Sequence, residues 1–398
     1  MKWKKKGHEF DETGSKLASN FQNRKEIYIF GAGKIGTEVQ KTFEFYTCFG
    51  GFIDNDKEKQ LQGVNGSAVI SLDEFVETKR NAWIVIAVGN NYVGEIVEQL
   101  EVYGLVKNAD YFFHTEFMKQ IFPILSVYYF GKVYVELSQI SVTERCTLRC
   151  KKCAHGCGYV NRDTKDMDLA KVKYSADSFF EIVDYVNEFV LIGGEPLLYN
   201  KLVEAVEYIG QKYRNKINIF SITTNGTLIP TEELLWVCRK YKVLFRISNY
   251  SKQNPRLRVK YEQLVRLLSD NGLEYVLGNE ESEWVDLGFD YLDRNEDELE
   301  LIKVFDECKT PCSEVRGDRF YYCVMARSVS ENMKFFVGKD DYLDLNSLHG
   351  VDGKKIMLEY IMGYSSKGYL DMCNHCYGAE AYQHLIPAAV QIGKEQIS

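Results

Sequence analysis

Proline is scarce, 6 residues in 398, and apolar residues reach 45% against 27% charged, so neither a collagen-like nor a disordered chain fits. Long apolar runs are also missing. The longest, residues 83–88 and 122–130, fall well short of the ~20 residues that cross a bilayer, which excludes a transmembrane helix. Positive charge is in deficit: 49 Lys and Arg face 57 Asp and Glu, a formal charge of -8 that repels phosphate backbones and argues against nucleic acid as a general partner. After the basic residues 1–6, residues 7–20 lack the apolar core of a secretory signal, so a cytoplasmic location is expected. No tandem repeat or low-complexity tract is visible.

Cysteine, by contrast, is plentiful. A reducing compartment does not maintain structural disulfides, so 11 cysteines point to metal binding or redox chemistry. Cys146, Cys150, Cys153 and Cys157 form one group, and Cys308, Cys312, Cys323, Cys373 and Cys376 another. Cys48 and Cys238 lie in apolar surroundings and read as inert core thiols. The length suits two or three domains.

Residues 1–22 read as a polar N-terminal segment. Next comes IYIFGAGKIGTEVQKTF, a β-branched and aromatic run, a glycine-rich turn and a helical pattern. Gly31, Gly33 and Gly36 match the dinucleotide fingerprint. Asp54, 18 residues after Gly36, ends a second strand near the place of the acidic ribose partner. With the further strand at 82–88 and the helical pattern at 93–103, this predicts a Rossmann-like parallel sheet over 23–118, able to hold a nucleotide or nucleotide-sugar. The same glycines also suit a tight turn and close helix packing with no ligand. Residues 119–132, with Pro123 and Gly131, read as a linker.

From 133 the strand-like runs VYVELSQISV, FVLIGG, INIFSITTNG and VLFRISNY alternate with helical patterns, which predicts a parallel barrel or part of one up to residue 307. Cys146, Cys150 and Cys153 follow the first of these strands as Cys-x3-Cys-x2-Cys. Three thiolates from one loop can hold an iron-sulfur cube and leave one iron free; with Cys157 they can also form a closed zinc knuckle. Gly193, Gly194, Glu195 and Pro196 follow the second strand, at the end where such folds place their chemistry.

With CTLRCKKC after one strand and GGEP after the next, this region resembles the radical S-adenosylmethionine (radical SAM) superfamily. The resemblance implies a partial (β/α)6 barrel in which Cys146, Cys150 and Cys153 hold a 4Fe-4S cluster whose fourth iron binds S-adenosylmethionine. It also implies that the backbone of Gly193, Gly194, Glu195 and Pro196 contacts the methionine amino group, and that Asn225 and Ser248 contact its carboxylate and ribose. Asn225-Gly226 also reads as a simple turn. The superfamily usually has an aromatic residue before the third cysteine; this chain has Lys152, which puts adenine packing there in doubt.

Residues 308–398 read as a small Cys-rich domain. Cys312, Cys323, Cys373 and Cys376 resemble the ligands of the auxiliary 4Fe-4S domain, SPASM or its shortened form twitch, that follows the barrel in radical SAM dehydrogenases and epimerases. A four-cysteine zinc ribbon shares that spacing. Cys308 is then spare: a core thiol, an alternative ligand or, like Cys157, a hydrogen-atom donor. The resemblance implies radical chemistry on a small-molecule, sugar or glycan substrate, by dehydrogenation or epimerisation, with a flavodoxin- or ferredoxin-type electron donor. A ribosomal-peptide maturase of the same superfamily is one alternative; a non-catalytic, zinc-bound, nucleotide-binding module is another.

Overall fold

The run IYIF is buried at every position, as in a strand covered on both faces, and it forms the centre of a parallel sheet. The computed structural model describes residues 1–161, 163–295, 297–308, 312–335 and 338–393. In it β1 (Ile27–Phe30), β2 (Phe49–Ile53), β3 (Val69–Ile70), β4 (Trp83–Ile86) and β5 (Tyr111–Phe113) stand in the order β3-β2-β1-β4-β5. Their pairings are parallel. The chain winds from β1 to one side and then to the other, with crossover helices that include Lys34–Phe45 and Asn90–Val102, which is the doubly wound order. Gly31 has φ +112°, and a Cβ on Gly36 would lie 1.9 Å from the Gly31 carbonyl oxygen, so the first helix packs onto this turn only through a bare Cα.

Side-chain alternation gives the sheet two apolar faces. Tyr28, Phe30, Ile84 and Ile86 pack with Phe75 and Leu100. Trp83, out of phase with Ile84, joins an aromatic group with Phe21 (ring centroids 5.0 Å apart) and Phe117 (6.1 Å). This unit spans His8–Tyr134, more than the 23–118 expected from the sequence. The segment read as polar contains the helix Asp11–Gln22, whose Phe21 is fully buried. The stretch read as a linker is helical from Phe122 to Tyr128. Pro123 lies inside a continuous helical run over 114–128, just after the π-helical turn Phe117–Ile121, where the hydrogen-bond pattern is already shifted and tolerates its missing N–H.

The second unit comprises Met1–Gly7 and Val135–Ser398. Strands β6 (Tyr134–Thr143), β7 (Tyr185–Gly193), β8 (Ile217–Thr224), β9 (Val243–Ile247) and β10 (Tyr275–Leu277) alternate with the helices Leu169–Ile182, Leu202–Tyr213, Glu232–Lys240 and Leu257–Asp270. After them come β11 (Glu283–Val285), β12 (Ser313–Arg316), β13 (Arg319–Tyr321), β14 (Leu343–Asp344) and β15 (Leu385–Pro387). The main sheet runs β10-β9-β8-β7-β6-β12-β13-β14. Five strands thus take the βα order of the expected six. The next parallel neighbour, β12, lies across β6, and β11 pairs with β15 instead of extending the sheet beyond β10. The Cys-rich region therefore joins the sheet beside the strand that leads into the first cysteine group.

Two glycine substitutions should have opposite effects on the stability of the full chain. Gly36→Ala should lower it by about 1–3 kcal/mol or more through overpacking. Gly94→Ala, exposed inside the helix Asn90–Val102 with no atom near its would-be Cβ, should raise it by about 0.5–1 kcal/mol. Denaturant titration measures both.

Candidate functional site

The ends of four successive strands converge. Cys146 follows β6, Gly193 closes β7, Asn225 follows β8 and Ser248 follows β9. The contact between the first two loops excludes side chains: a Cβ on Gly193 would lie 2.3 Å from the Thr143 oxygen, and one on Gly194 would lie 2.3 Å from the Arg145 oxygen. Gly194 N–H donates to Thr143 O and Glu195 N–H to Arg145 O, both at 2.9 Å. Two glycines in a row are what let the backbone of the second loop lie along the cysteine loop.

Glu195 is fully buried, and protein groups occupy its carboxylate. Leu197 N–H (3.1 Å), the Thr224 hydroxyl (2.7 Å) and Asn225 N–H (2.8 Å) all donate to it. Burial raises its pKa, and these donors oppose the rise. Glu195 therefore ties β7 to the end of β8. Asn225 makes the next tie: its amide donates to Cys146 Sγ (3.4 Å) and Thr147 Oγ1 (3.1 Å), and its oxygen accepts from Thr227. Ser248 N–H donates to Thr224 O. The cysteine loop borders a cavity of about 360 Å³ lined by Arg145, Cys146, Thr147, Cys157 and Leu198 among others.

Burial pushes the Cys146 thiol up to about 11 and Cys150 to about 12, and each also feels negative charge at Cys153. Cys153 is lowered because Cys157 hydrogen-bonds to it; Cys157 is raised by the same contact. Cys157 therefore sits within the cysteine loop, against a neighbouring thiol. Among the described residues no three Cys, His, Asp or Glu side chains have the spacing of a single-ion site. A 4Fe-4S cube gives each thiolate its own iron and does not need that spacing. Three thiols on one loop, bordered by bare backbone and a cavity, fit the cube and S-adenosylmethionine.

Cys312, Cys323 and Cys376 pack against the apolar cluster that contains Cys373. Cys323 is raised by burial and then by charge at Cys308 and Cys376; Cys373 feels Cys323 and Cys376. Cys308 therefore lies close to this group as well. The charge felt by Cys312 is Glu188 of β7, which the Arg246 guanidinium holds from β9. Cys48 and Cys238 are buried and raised by desolvation.

Several contacts of the site carried no signal in the sequence. Gln391 donates to Cys150 Sγ (3.2 Å) and accepts from Arg149 N–H (2.7 Å), so a distant segment pairs with the cysteine loop. Lys152, at φ +59°, turns its ammonium to Asp286 (3.1 Å) and Asp290 (2.5 Å) and lies over the Tyr291 ring. Arg327, fully buried, pairs with Glu314 (2.7 Å) and with Glu144, two residues before Cys146. Its helix, Val324–Met333, begins directly after Cys323.

In the N-terminal unit, the Asp54 carboxylate accepts from Ala32 N–H (2.8 Å) in the glycine turn and from Lys59 (2.9 Å). Gly33 begins the helix Lys34–Phe45, and a Cβ there would meet open space. Burial tends to raise the Asp54 pKa, but Asp56 N–H, Lys59 and Ala32 N–H outweigh it and hold the carboxyl below its ordinary value.

Residues 140–248 match the family model of the radical SAM superfamily. The chain is 28% identical over 143 residues to the probable GTP 3',8-cyclase of Methanococcus aeolicus, covering 35% of this chain and 42% of that protein. It is 36% identical over 99 residues to the GTP 3',8-cyclase of Clostridium acetobutylicum, covering 24% and 29%. The chain spans less than half the length of these curated relatives. Among solved structures, BtrN in complex with AdoMet and 2-DOIA aligns with 64% of this chain and 100% of its own, at 18% identity and TM-score 0.41. AdoMet-bound anSMEcpe covers 36% and 43%, at 22% identity and TM-score 0.29.

Arg327→Met, which leaves Glu314 buried without its cation and Glu144 with Arg316 alone, should cost about 3–5 kcal/mol in denaturant titration. Asp54→Asn should act through pH. A depressed folded-state pKa adds stability above the ordinary value of about 3.9, and that stability is lost as pH falls through the folded value. The variant should therefore lose less stability than the parent below about pH 4, as read from thermal midpoints across an acid series.

Proposed function

We propose that this chain, whose residues 140–248 form a radical SAM domain, is an enzyme that abstracts a hydrogen atom from a sugar, nucleotide-sugar or glycan. The observation that carries the reading is the approach of Gly193 and Gly194 to the loop of Cys146, Cys150 and Cys153. It sets a backbone edge free of side chains beside three thiols, where a small zwitterionic cofactor can lie. Cys146, Cys150 and Cys153 hold the cluster. Gly193, Gly194 and Pro196 border the methionine end of the cofactor, with Asn225 and Ser248 at its polar groups. Glu195 acts by fixing this geometry. A reduced 4Fe-4S cluster supplies the electron that splits the sulfonium of S-adenosylmethionine and so starts the abstraction.

A second cluster is assigned to Cys312, Cys323, Cys373 and Cys376. The packing of Cys312, Cys323 and Cys376 against the apolar cluster that contains Cys373 supports this set, with Cys308 as a spare thiol beside it. A cluster there would accept the second electron from the substrate radical once a base takes its proton, which favours dehydrogenation. Epimerisation would instead require a thiol to return a hydrogen atom. Cys157 and Cys308 are the thiols proposed for that role. The sugar-type substrate is supported by the doubly wound N-terminal sheet, with Gly31, Gly33, Gly36 and Asp54 at its nucleotide-binding end. Among the described residues no helix is long and apolar enough to cross a membrane. The electron donor is of flavodoxin or ferredoxin type.

Iron content after anaerobic reconstitution tests the assignment. The parent should hold about eight irons, and the triple variant Cys146→Ala, Cys150→Ala, Cys153→Ala about four, with no S-adenosylmethionine cleavage. Cys312→Ala should lose the second cluster's iron, whereas Cys308→Ala should keep it. Full cleavage by the triple variant, or zinc in place of iron, would overturn the reading. Equal loss from both single variants would overturn the choice of Cys312.

A further inference from the structure

Charge is spread unevenly along this chain. The whole carries -8, yet residues 145–173, which include Cys146, Cys150, Cys153 and Cys157, contain eight Lys and Arg against three Asp. The local field around the cysteine loop thus has the opposite sign to that of the molecule. Some of these cations are neutralised: Arg145 pairs with Asp166 at 2.6 Å, and Lys152 with Asp286 and Asp290. Arg149, Lys151, Lys165 and Lys171 have no carboxylate at ion-pair distance among the described residues, and Lys165 and Lys171 are exposed. Of the remaining acids of the segment, Asp168 caps the helix Leu169–Ile182 and Asp163 is exposed, which leaves an excess of positive charge.

The fold joins these charges into one face. Arg149 borders the cavity of about 360 Å³ at Cys146 and Cys157. Lys171 and Arg319 line a second depression of about 510 Å³. The two meet at an ion pair, because Glu144 lines the first, Arg316 lines the second, and they lie 3.2 Å apart. In the second depression Glu331 answers Arg316 at 3.5 Å, and Asp318 accepts from the Asn346 amide. A small anion would be met by cations gathered at one point, whereas these are spread over two depressions with an ion pair between them. That breadth suits a protein surface. A cluster on this loop needs one electron from outside for each S-adenosylmethionine it splits. Tunnelling falls off steeply with distance, so the carrier must dock where the loop reaches the surface. We propose that this basic face around the cysteine loop, on an otherwise acidic chain, docks an acidic one-electron carrier protein. The proposal rests on the assignment of a cluster to Cys146, Cys150 and Cys153.

The test uses the anaerobically reconstituted full chain and follows 5'-deoxyadenosine formed from S-adenosylmethionine, driven by flavodoxin hydroquinone or by excess dithionite. Two acidic proteins repel, so without a basic face added salt would speed the flavodoxin reaction. With one, raising the ionic strength from about 0.02 to about 0.3 M should slow it about tenfold. Lys165→Glu with Lys171→Glu should slow it about tenfold at low salt, and the milder pair Lys165→Gln with Lys171→Gln should fall between. Lys242→Glu, exposed just before β9 at the opposite end of the strands, should leave the rate unchanged. With dithionite all variants should match the parent in rate and in iron content. A parent that cleaves with dithionite but whose flavodoxin rate rises with salt, or ignores both Lys pairs, would overturn the docking face and leave the cluster assignment standing. A parent that does not cleave with dithionite would overturn both. Stronger inhibition by inorganic phosphate or a short single-stranded DNA than by sodium chloride of equal ionic strength would assign the face to a small anion or to nucleic acid and overturn the proposal.

Discussion

Arg327 brings a full positive charge into a water-free interior, and the arrangement around it follows from the need to match that charge. A buried guanidinium costs several kcal/mol unless carboxylates meet it with good geometry. Glu314, from β12, faces it through two nitrogens, and Glu144 meets a third. Glu144 also accepts from Arg316 and Asn332, and the Asn332 amide donates to the His155 carbonyl inside the cysteine loop. The helix that carries Arg327 and Asn332 starts directly after Cys323. A single buried charge thus holds together the end of β6, the strand β12 and the helix beside the second group of thiols. Both sets of cysteines are positioned from one strut.

The second constraint is steric and local. Gly193 and Gly194 bring one loop against another at a distance that no side chain tolerates, and Glu195 and Asn225 carry the order across to β8. The result is a row of backbone groups beside three thiols at the C-terminal ends of parallel strands, where a βα fold leaves its loops free for chemistry. The match of residues 140–248 to the radical SAM superfamily coincides with this row.

What could be read in the sequence was what is encoded locally. Cysteine spacing, GGEP and the glycine turn each depend on a few adjacent residues whose backbone roles are set by residue type. What could not be read depends on distance along the chain. Arg327 and Glu144 lie 183 positions apart, and Gln391 reaches Cys150 across 241. Cys308 and Cys312 stand four residues apart and both lie near Cys323, so spacing by itself does not rank one over the other as a ligand. The helix Asp11–Gln22 escaped notice because its composition is polar and its buried anchor, Phe21, stands at its far end.

The central claim is that two iron-sulfur sites exist and that only the loop of Cys146, Cys150 and Cys153 meets S-adenosylmethionine. Electron paramagnetic resonance of the dithionite-reduced, anaerobically reconstituted full chain, recorded with and without S-adenosylmethionine, tests it most directly. The expected result is two overlapping signals of reduced 4Fe-4S clusters, one shifted by the cofactor and absent when those three cysteines are replaced. A spectrum with no cluster signal, or with two signals that both ignore the cofactor, would contradict it.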